Sequence, residues 1–276
     1  MISATTRVAA VIGSPVRHSL SPALHNAGFA ATGVDWVYTA FEVEPGSAAA
    51  ALDAMRVLGL GGMSVTMPHK ESVAALVDEL DPAAAALRSV NTVVPLGDGR
   101  LKGYSTDGAG FVASLAAQNL AIVGSHVGVL GGGGAARAIV DAVARAGAAR
   151  VTVVNRTAER ANDAVALAPG VAVVGRPEDL RACDIVVNAT SVGMGGDELP
   201  LDAGLLHSEQ VVADIVYHPR CTALLTAAAA AGARTVEGLG MLVHQAVLQQ
   251  QLWTGVSADA AVMWAAAERE LASRGQ

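Results

Sequence analysis

Short runs rich in Val and Ile alternate along this chain with longer amphipathic segments rich in Ala and Leu. Such alternation is typical of repeated strand-helix-strand units around a mostly parallel sheet, so the pattern predicts an α/β fold. In the first third of the chain, the predicted strands are residues 8–12, 36–43, 63–67 and 92–96. The predicted helices between them are residues 22–31, 47–58 and 71–79.

Local turn chemistry sets some of these boundaries. Ser21 is predicted to cap the first helix with its side chain, because Pro22 has the backbone angle of a first helical position. Gly33 is predicted to end that helix. The segment at residues 96–100 contains Asp-Gly, which tolerates a positive φ, and it predicts a tight turn before a hairpin strand that runs toward Tyr104.

The strand pattern begins again at residue 126. A strand is predicted at residues 126–130, followed by the glycines 131–134, a helix that reaches Arg145 and a strand at residues 150–154. This order is one complete strand-helix-strand unit of the nucleotide-binding type. Further strands are predicted at residues 171–174, 184–187 and 210–215, and helices from Met241 onward.

The composition narrows the class of protein. Of the 276 residues, 52% are hydrophobic and 16% are charged, which excludes a disordered chain. This size favours two domains, with a single large α/β unit as the alternative. No apolar run reaches the roughly 18 residues of a membrane span, and no secretory signal is visible, so a cytoplasmic protein without a membrane partner is expected. The net charge of −7, without a basic cluster, argues against a nucleic-acid partner.

Metal and disulfide chemistry have no support in the sequence. Cys183 and Cys221 match no zinc spacing and are interpreted as ordinary thiols. The seven histidines form no metal-binding motif, so no metal site is predicted.

A glycine-rich segment follows the predicted strand at residues 126–130. Gly131, Gly133 and Ala136 satisfy the pattern Gly-x-Gly-x-x-Ala between a strand and a helix. The first glycine permits a tight turn, and the second allows the backbone to approach a pyrophosphate. Ala136 allows close packing at a helix N-terminus that attracts anions. A merely flexible turn is the alternative interpretation.

The end of the next predicted strand indicates which dinucleotide is bound. An Asp or Glu there would accept from the ribose of NAD. This chain instead has Asn155, Arg156 and Thr157, with Arg160 one turn later. Two guanidinium groups and a hydroxyl can bind a 2′-phosphate through charge-assisted hydrogen bonds, so NADP(H) is the expected cofactor. The alternative is a solvated helix start capped by Thr157.

Nine segments in a fixed order carry a further signal. They are His18 to Pro22 with His25-Asn26, residues 64–70, Val90-Asn91-Thr92, Ser105-Thr106-Asp107, the glycine-rich segment, Asn155-Arg156-Thr157, and residues 188–194, 214–217 and 238–246. In this order they resemble the shikimate dehydrogenase family over nearly the whole chain. The set is far more specific than any one of its members.

The resemblance implies a domain organisation and an activity. A Rossmann-type, doubly wound NADP-binding domain is implied at residues 107–240. An α/β substrate domain is implied at residues 1–106, completed by returning helices at residues 241–276, with the active-site cleft where the two domains meet. The implied activity is the reversible NADP-dependent reduction of 3-dehydroshikimate to shikimate in aromatic amino acid and chorismate biosynthesis, with Lys70 and Asp107 as the catalytic pair.

The same resemblance assigns the binding residues. The implied substrate-binding residues are Ser19 and Ser21 at the carboxylate, Thr66 and Asn91 at the ring hydroxyls, and Tyr217 and Gln245 beside them. The implied cofactor-binding residues are Gly131, Gly132, Gly133, Gly134, Ala135, Asn155, Arg156, Thr157, Arg160, Thr190, Met194, Gly238 and Met241.

Lys70 suits the chemistry of this activity. Hydride transfer to a ketone leaves negative charge on oxygen, which a positioned ammonium stabilises and protonates. Only two of the 18 Lys and Arg residues are lysines, Lys70 and Lys102, so a lysine after His69 indicates a need for a compact group that can be deprotonated. Asp107 is expected to accept from a substrate hydroxyl and to hold the ammonium. The alternatives are an exposed lysine at a helix start and an aspartate that caps the next helix.

Three positions depart from the family pattern. Ser64 and Ser105 stand where Asn is usual, and Arg88-Ser89 replaces a small Gly-Ala pair. Ser has only a hydroxyl where Asn has a carbonyl and an amide, so hydrogen bonding near Thr66 and Asp107 is expected to change. Two alternatives therefore stay open: a relative that acts on quinate or an amino analogue of shikimate, and a non-catalytic NADP-binding sensor. The expected substrate is a small cyclohexene carboxylate, and both a monomer and a homodimer stay open.

Overall fold

The computed structural model describes residues 2–274, which form two compact units. The first unit contains residues 2–106 and 245–274, and the second unit contains residues 107–244. Residues 1, 275 and 276, which the sequence assigns to the substrate domain, lie outside the described residues. Each unit has its own six-stranded sheet with helices, so the predicted α/β class is confirmed.

The sheet of the first unit is mixed. Its strands are β1 (Arg7–Gly13), β2 (Trp36–Glu42), β3 (Gly62–Val65), β4 (Glu79–Leu80), β5 (Thr92–Pro95) and β6 (Leu101–Tyr104), in the spatial order β2-β1-β3-β5-β6-β4. β1 pairs in parallel with β2 and β3, whereas β5 is antiparallel to β3 and β6. The predicted β5-β6 hairpin is confirmed, because Leu96 N–H donates to the Arg100 carbonyl at 2.9 Å and Gly97 and Gly99 both have a φ of 86°.

Helices cover this sheet. They are α1 (Ser21–Thr32), α2 (Ala48–Leu58), α3 (Lys70–Leu76), α4 (Pro82–Leu87), the C-terminal part of α9 (Gly238–Thr254) and α10 (Ala260–Ser273). A Cβ at Gly62 would lie 2.5 Å from the Trp253 ring, so only glycine lets α9 approach β3 this closely. The Trp253 indole N–H donates to the Val93 carbonyl at 3.1 Å. These contacts fix the position of α9 on the sheet.

The sheet of the second unit is entirely parallel. Its strands are β7 (His126–Leu130), β8 (Arg150–Val154), β9 (Ala172–Val174), β10 (Ile185–Asn188), β11 (Val211–Asp214) and β12 (Arg234–Val236), in the order β12-β11-β10-β7-β8-β9. Numbered within the unit, this is the 6-5-4-1-2-3 order of the Rossmann fold. The predicted bounds of β7 and β8 match the observed strands.

Small residues let the helices of the second unit pack closely on the sheet. Its helices are α5 (Asp107–Ala116), α6 (Gly134–Arg145), α7 (Ala158–Val165), α8 (Ala223–Ala230) and the start of α9, with short 3₁₀ segments at Pro177–Ala182 and Ala203–Leu205. A Cβ at Gly108 of α5 would collide with the Ala138 carbonyl of α6. Ala136, Ala161 and Val151 are fully buried in the same core. The start of α5, and therefore Asp107, is held against α6 by backbone packing.

One predicted helix is too long. The sequence predicts a helix over residues 71–79, but α3 ends at Leu76 and Glu79–Leu80 form strand β4. Asp78 causes the change, because its N–H donates to the Leu101 carbonyl at 3.0 Å and its carboxylate accepts from the Leu101 N–H at 2.7 Å. Pairing with β6 therefore overrides the helical pattern. The elements α4, α8 and β12 have no counterpart in the prediction.

The prediction that the Ser21 side chain caps α1 is wrong. The helix begins at Ser21 itself, and its N-cap position is Leu20, without a side-chain cap hydrogen bond. The Ser19 hydroxyl instead accepts from the Ser21 N–H at 3.2 Å. The other end agrees with the prediction, because Gly33 has a φ of 71°.

None of the helices within residues 2–274 combines the length and the apolar character needed to cross a lipid bilayer.

The departure at Arg88 has a clear structural setting and gives a first prediction. Arg88 is exposed and follows α4 with a φ of 48°, in the left-handed region that disfavours non-glycine residues. We expect Arg88→Gly to raise the free energy of unfolding by about 1 kcal/mol, because relief of this strain outweighs the added flexibility of the unfolded chain. Urea denaturation measures the change. Asn119→Gly is the matched control: Asn119 has a φ of 57°, but Asn tolerates this region, so a smaller gain is expected. A loss of stability in Arg88→Gly would contradict the interpretation.

Candidate active site

The first two glycines of the glycine-rich segment are required by the protein's own packing. Gly131 has a φ of 118°, and its N–H donates to the Val154 carbonyl at 2.9 Å. A Cβ at Gly131 would lie 3.0 Å from the Ala189 carbonyl oxygen, and one at Gly132 would lie 2.8 Å from the Arg160 carbonyl oxygen. The loop after β7 is therefore pressed between the segments that follow β8 and β10.

The next two glycines leave open space at a helix N-terminus. Apart from the adjacent residues and the backbone of its own helix, no atom of the described chain lies within 4 Å of a Cβ built on Gly133 or Gly134. α6 begins at Gly134, and Gly133 at its N-cap provides no side-chain hydrogen bond. The first-turn N–H groups, including that of Ala135, therefore have no helical carbonyl to bind and attract an anion. This arrangement fits the pyrophosphate of a dinucleotide.

The turn after β8 carries unpaired positive charge. Asn155 shapes this turn by donating from its side chain to the Thr157 carbonyl at 2.8 Å. Arg156, Thr157 and Arg160 are exposed, and neither arginine forms an ion pair within residues 2–274, even with the neighbouring Glu159. Thr157 is at the N-cap of α7 but makes no side-chain cap hydrogen bond. The alternative of a solvated helix start at Thr157 is thus correct in the N-cap position and the exposure, but wrong in the side-chain cap.

The loop after β10 lies beside the glycine-rich segment. The Thr190 methyl carbon is 3.2 Å from a Cβ built on Gly131. The Thr190 hydroxyl donates to the Asn188 side-chain carbonyl at 2.7 Å and accepts from the Val192 N–H at 3.1 Å. Met194 is 61% exposed. The structure thus brings Thr190 to the predicted cofactor site and uses its hydroxyl to shape the loop.

The start of α9 packs on the segment after β11. A Cβ at Gly238 would lie 2.5 Å from the Ile215 carbonyl oxygen, so glycine permits this contact. Met241 packs against the core of the second unit, and Tyr217 is half-buried. These three predicted site residues belong to neighbouring segments of the second unit.

The predicted substrate residues of the first unit gather at one edge of its sheet. β3 and β6 run in the same direction, and β5 runs opposite to both, so residues after β3 and β6 meet residues before β5. Thr66 follows β3 and donates its N–H to the Ile12 carbonyl at 3.0 Å. Asn91 precedes β5 and donates its N–H to the Tyr104 carbonyl at 3.0 Å.

Hydrogen bonds hold Asn91 and Gln245 in this cluster. The Asn91 amide donates to the Thr106 hydroxyl at 2.9 Å, and its side-chain carbonyl accepts from the Thr106 N–H at 2.9 Å. The Thr106 hydroxyl also contacts the Gln245 backbone carbonyl at 3.3 Å. Asn91 and Gln245 are buried, whereas Ser19 is half-buried near the start of α1.

The predicted catalytic pair is divided between the units. Lys70 is the first residue of α3 and half-buried, and its carbonyl accepts from the Val90 N–H at 3.0 Å. This bond ties the base of Lys70 to the residue before Asn91. Asp107 is the first residue of α5 in the second unit. No cluster of three or more His, Cys, Asp or Glu residues within residues 2–274 is arranged to hold a metal ion.

Comparisons with known proteins identify the family. Residues 11–93 match the shikimate dehydrogenase substrate-binding domain, residues 112–194 match the shikimate/quinate 5-dehydrogenase domain, and residues 238–268 match the shikimate 5′-dehydrogenase C-terminal domain. The chain is 42% identical over 274 residues to the NADP(+) shikimate dehydrogenase of Moorella thermoacetica, covering 95% of this chain and 92% of that protein. The chain belongs to the shikimate dehydrogenase family.

Solved structures of shikimate dehydrogenase relatives agree with this assignment. The shikimate 5-dehydrogenase of Thermus thermophilus, in complex with NADP(H) and shikimate, is 37% identical with a TM-score of 0.90, covering 96% of this chain and 99% of that one. The quinate dehydrogenase of Corynebacterium glutamicum, in complex with NAD, is 32% identical with a TM-score of 0.88, covering 95% and 98%.

Ser64, which stands where Asn is usual in the shikimate dehydrogenase family, belongs to a hydrogen-bond network that sequence reasoning missed. Ser64 accepts from the Tyr38 hydroxyl at 2.6 Å and donates to the Gln249 side-chain carbonyl at 2.9 Å. The Gln249 amide donates to the Thr92 hydroxyl at 2.9 Å and to the Asn91 backbone carbonyl at 3.1 Å. Gln249 therefore supplies an amide beside Ser64. A polar residue four positions after Gln245 on one helix was the available signal.

The other departures have smaller consequences. The Ser105 N–H donates to the Asp81 carboxylate at 3.3 Å, and the Arg88 side chain is exposed. His69 is buried, with Nε2 2.8 Å from the Val43 carbonyl. Burial lowers the pKa of the half-buried His244.

His25 is the buried titratable group of the Ser64 network. Its ring stacks on Tyr38 at 4.3 Å, and its Nε2 lies 3.2 Å from the Gln249 side-chain carbonyl. Its Nδ1 has no hydrogen-bond partner within residues 2–274. Burial lowers the pKa of His25 to about 3, so the ring is neutral in the folded chain.

His25 predicts a loss of stability in acid. The unfolded chain binds a proton at His25 below the ordinary pKa of 6.5, whereas the folded chain stays neutral down to about pH 3. Stability from this residue is therefore complete above the unfolded pKa and falls with pH below it, by about 2 kcal/mol between pH 7 and pH 5. Urea denaturation followed by tryptophan fluorescence measures it, because Trp36, Trp253 and Trp264 all lie in the first unit. His25→Gln is expected to flatten this pH dependence, and an unchanged slope would contradict the assignment.

Proposed function

We propose that this chain catalyses the reversible NADP-dependent reduction of 3-dehydroshikimate to shikimate. The observation that carries the proposal is the turn after β8, where Arg156 and Arg160 are exposed and without ion pairs within residues 2–274, in a chain 42% identical to an NADP(+) shikimate dehydrogenase. It acts in aromatic amino acid and chorismate biosynthesis. We propose a cytoplasmic location, and a monomer or a homodimer as the active form.

The second unit serves as the NADP(H) domain in this proposal. The N–H groups at the start of α6 bind the pyrophosphate across Gly133 and Gly134. Arg156, Thr157 and Arg160 bind the 2′-phosphate by charge-assisted hydrogen bonds. The loop containing Thr190 and Met194, with Gly238 and Met241, borders the ribose and nicotinamide. The cofactor supplies the hydride when bound.

The first unit serves as the substrate domain. Ser19 and Ser21 bind the carboxylate of the cyclohexene ring, and Thr66 and Asn91 bind its hydroxyls, with Gln245 and Tyr217 as further contacts. Asn91 is well suited to this task, because hydrogen bonds with Thr106 and Thr92 hold its side chain in position.

Lys70 is the proton donor of the reduction. As the ketone carbon accepts hydride, charge builds up on its oxygen, and the Lys70 ammonium stabilises this charge and transfers a proton to it. Asp107 accepts a hydrogen bond from a ring hydroxyl. In the reverse direction, neutral Lys70 removes the proton from the alcohol.

A spectrophotometric assay of NADPH absorbance tests substrate and cofactor together. We expect 3-dehydroshikimate to be reduced with NADPH in strong preference to NADH. Arg156→Ala with Arg160→Ala should lower this preference at least about tenfold, because hydrogen bonds to a charged phosphate are lost. Arg150→Ala is the control, since Arg150 lies at the opposite end of β8. A faster reaction of quinate than of shikimate with NADP would replace the substrate assignment. Tight NADPH binding without turnover of any of these ring substrates would favour the sensor.

Lys70→Ala is expected to slow turnover by about 100-fold or more while leaving the Kd for NADPH nearly unchanged, because it removes charge stabilisation and proton transfer but no proposed contact to the cofactor. The matched control is Lys102→Ala. Lys102 is the other lysine of the chain. It lies on β6, and its Nζ is 3.9 Å from the carboxylate of Glu79 on β4. Equal turnover in Lys70→Ala and the wild type would refute the role of Lys70.

A further inference from the structure

Asp214 is a buried charge to which the proposed function gives no task. It ends β11, and its side chain is 2% exposed. No Lys or Arg within the described chain forms an ion pair with it. Burial raises the pKa of Asp214, and hydrogen bonds from Thr222, Val216 and Asn188 act in the opposite direction. A buried carboxylate without a cation is unfavourable unless its oxygens accept several hydrogen bonds.

The two carboxylate oxygens of Asp214 accept from three different segments. One oxygen accepts from the Asn188 amide at 2.9 Å and from the Val216 N–H at 3.0 Å. The other accepts from the Thr222 hydroxyl at 2.7 Å. An asparagine offers a single acceptor oxygen, which can replace the first oxygen and leave only Thr222 without its acceptor, whereas an alanine removes the acceptor of all three donors.

The hydrogen bond between Asp214 and Asn188 connects Asp214 to the loop at residues 188–194, called the nicotinamide loop because it is proposed to border the nicotinamide. Asn188 pairs directly with Asp214 across β10 and β11. Its amide also donates to the Val192 carbonyl at 3.1 Å, and its side-chain carbonyl accepts from the Thr190 hydroxyl and the Thr190 N–H at 2.7 and 3.1 Å. When Asp214 fixes the Asn188 amide, it thereby fixes the shape of the loop at residues 188–194.

The hydrogen bond between Asp214 and Val216 connects Asp214 to residues 215–217, called the Tyr217 segment because Tyr217 is a predicted substrate residue. Val216 directly precedes Tyr217, and a Cβ on Gly238 would lie 2.7 Å from the Val216 carbonyl oxygen, so the segment is held from both sides. The Thr222 contact is different in kind. Thr222 caps α8 by accepting from the Leu225 N–H at 3.3 Å, and none of the predicted site residues lies on that helix.

We propose that Asp214 is a positioning residue that holds the nicotinamide loop and the Tyr217 segment in one binding-competent arrangement. The assignment of these two segments to cofactor and substrate rests on the proposed function. Two binding sites thus depend on one carboxylate, and the loss of the oxygen that accepts from Asn188 and Val216 weakens both.

Asp214→Ala tests the proposal through two independent measurements, because it removes the acceptor of both the Asn188 amide and the Val216 N–H. We expect the Kd for NADPH, followed by its fluorescence, and the KM for shikimate each to rise about tenfold at equal folded fraction, the order of effect of losing a hydrogen bond to a charged group. Thr222→Val is the control: it removes the third hydrogen bond and the cap of α8, so it should lower Tm while leaving both constants near their wild-type values. Thr222→Ser should restore Tm.

A double-mutant cycle with Tyr217→Phe separates positioning from general loosening of the fold. If Asp214 acts through the Tyr217 segment, adding Asp214→Ala to Tyr217→Phe raises the KM for shikimate by much less than it does in the wild type. Multiplicative effects, unchanged constants in Asp214→Ala, or equal effects of Thr222→Val would overturn the proposal. If the wild type fails to oxidise shikimate, the proposed function is wrong, but the NADPH titration still decides whether Asp214 shapes the cofactor loop.

Discussion

Backbone pairing of β7 with β8 on one side and β10 on the other determines where the nucleotide loop lies. All three strands are parallel, so the chain leaves each of them at the same edge of the sheet. The loop after β7 therefore enters a space already limited by Ala189 and by Arg160, and only glycine at positions 131 and 132 is small enough there. The open positions at Gly133 and Gly134 follow from this. The backbone packs tightly at Gly131 and Gly132, and the N–H groups that follow, at the start of α6, lie beside open space.

The first unit uses neutral polar groups for a similar purpose. Ser64, Tyr38, Gln249 and His25 form a buried network without a net charge, and its last member on one side is Asn91. The second unit uses a carboxylate instead, because Asp214 has three donors to satisfy from separate segments. In both cases, a buried group that touches no reactant defines the position of one that is proposed to do so. Buried hydrogen-bond networks of this kind favour one arrangement of the surrounding loops.

Sequence reasoning succeeded where the signal was local. The bounds of β7 and β8, the β5-β6 turn and the left-handed Gly33 all follow from periodicity or from the needs of single residues. It failed where a distant partner decides the outcome. Asp78 forms backbone and side-chain bonds with Leu101, which turns the end of a predicted helix into β4.

Site residues show the same division. The glycine-rich segment and the arginines after β8 could be predicted as candidate cofactor residues from spacing and charge. Gln249 and Asp214 were not assigned roles, because their importance lies in hydrogen bonds to Ser64, Asn188 and Thr222, which are distant along the chain or in separate turns. The Ser21 cap was also wrong, since the choice between Ser19 and Ser21 depends on loop geometry that the residue types do not reveal.

The close contact between Gly62 and Trp253 has a consequence for the order of assembly. The ribosome releases the strands of the first unit early, but the helix that covers Gly62 emerges only after the whole of residues 107–244 has been made. The second unit is one uninterrupted stretch and has all of its strands available before then. During translation, the core of the first unit is therefore completed only after the C-terminal part of α9 has been synthesised.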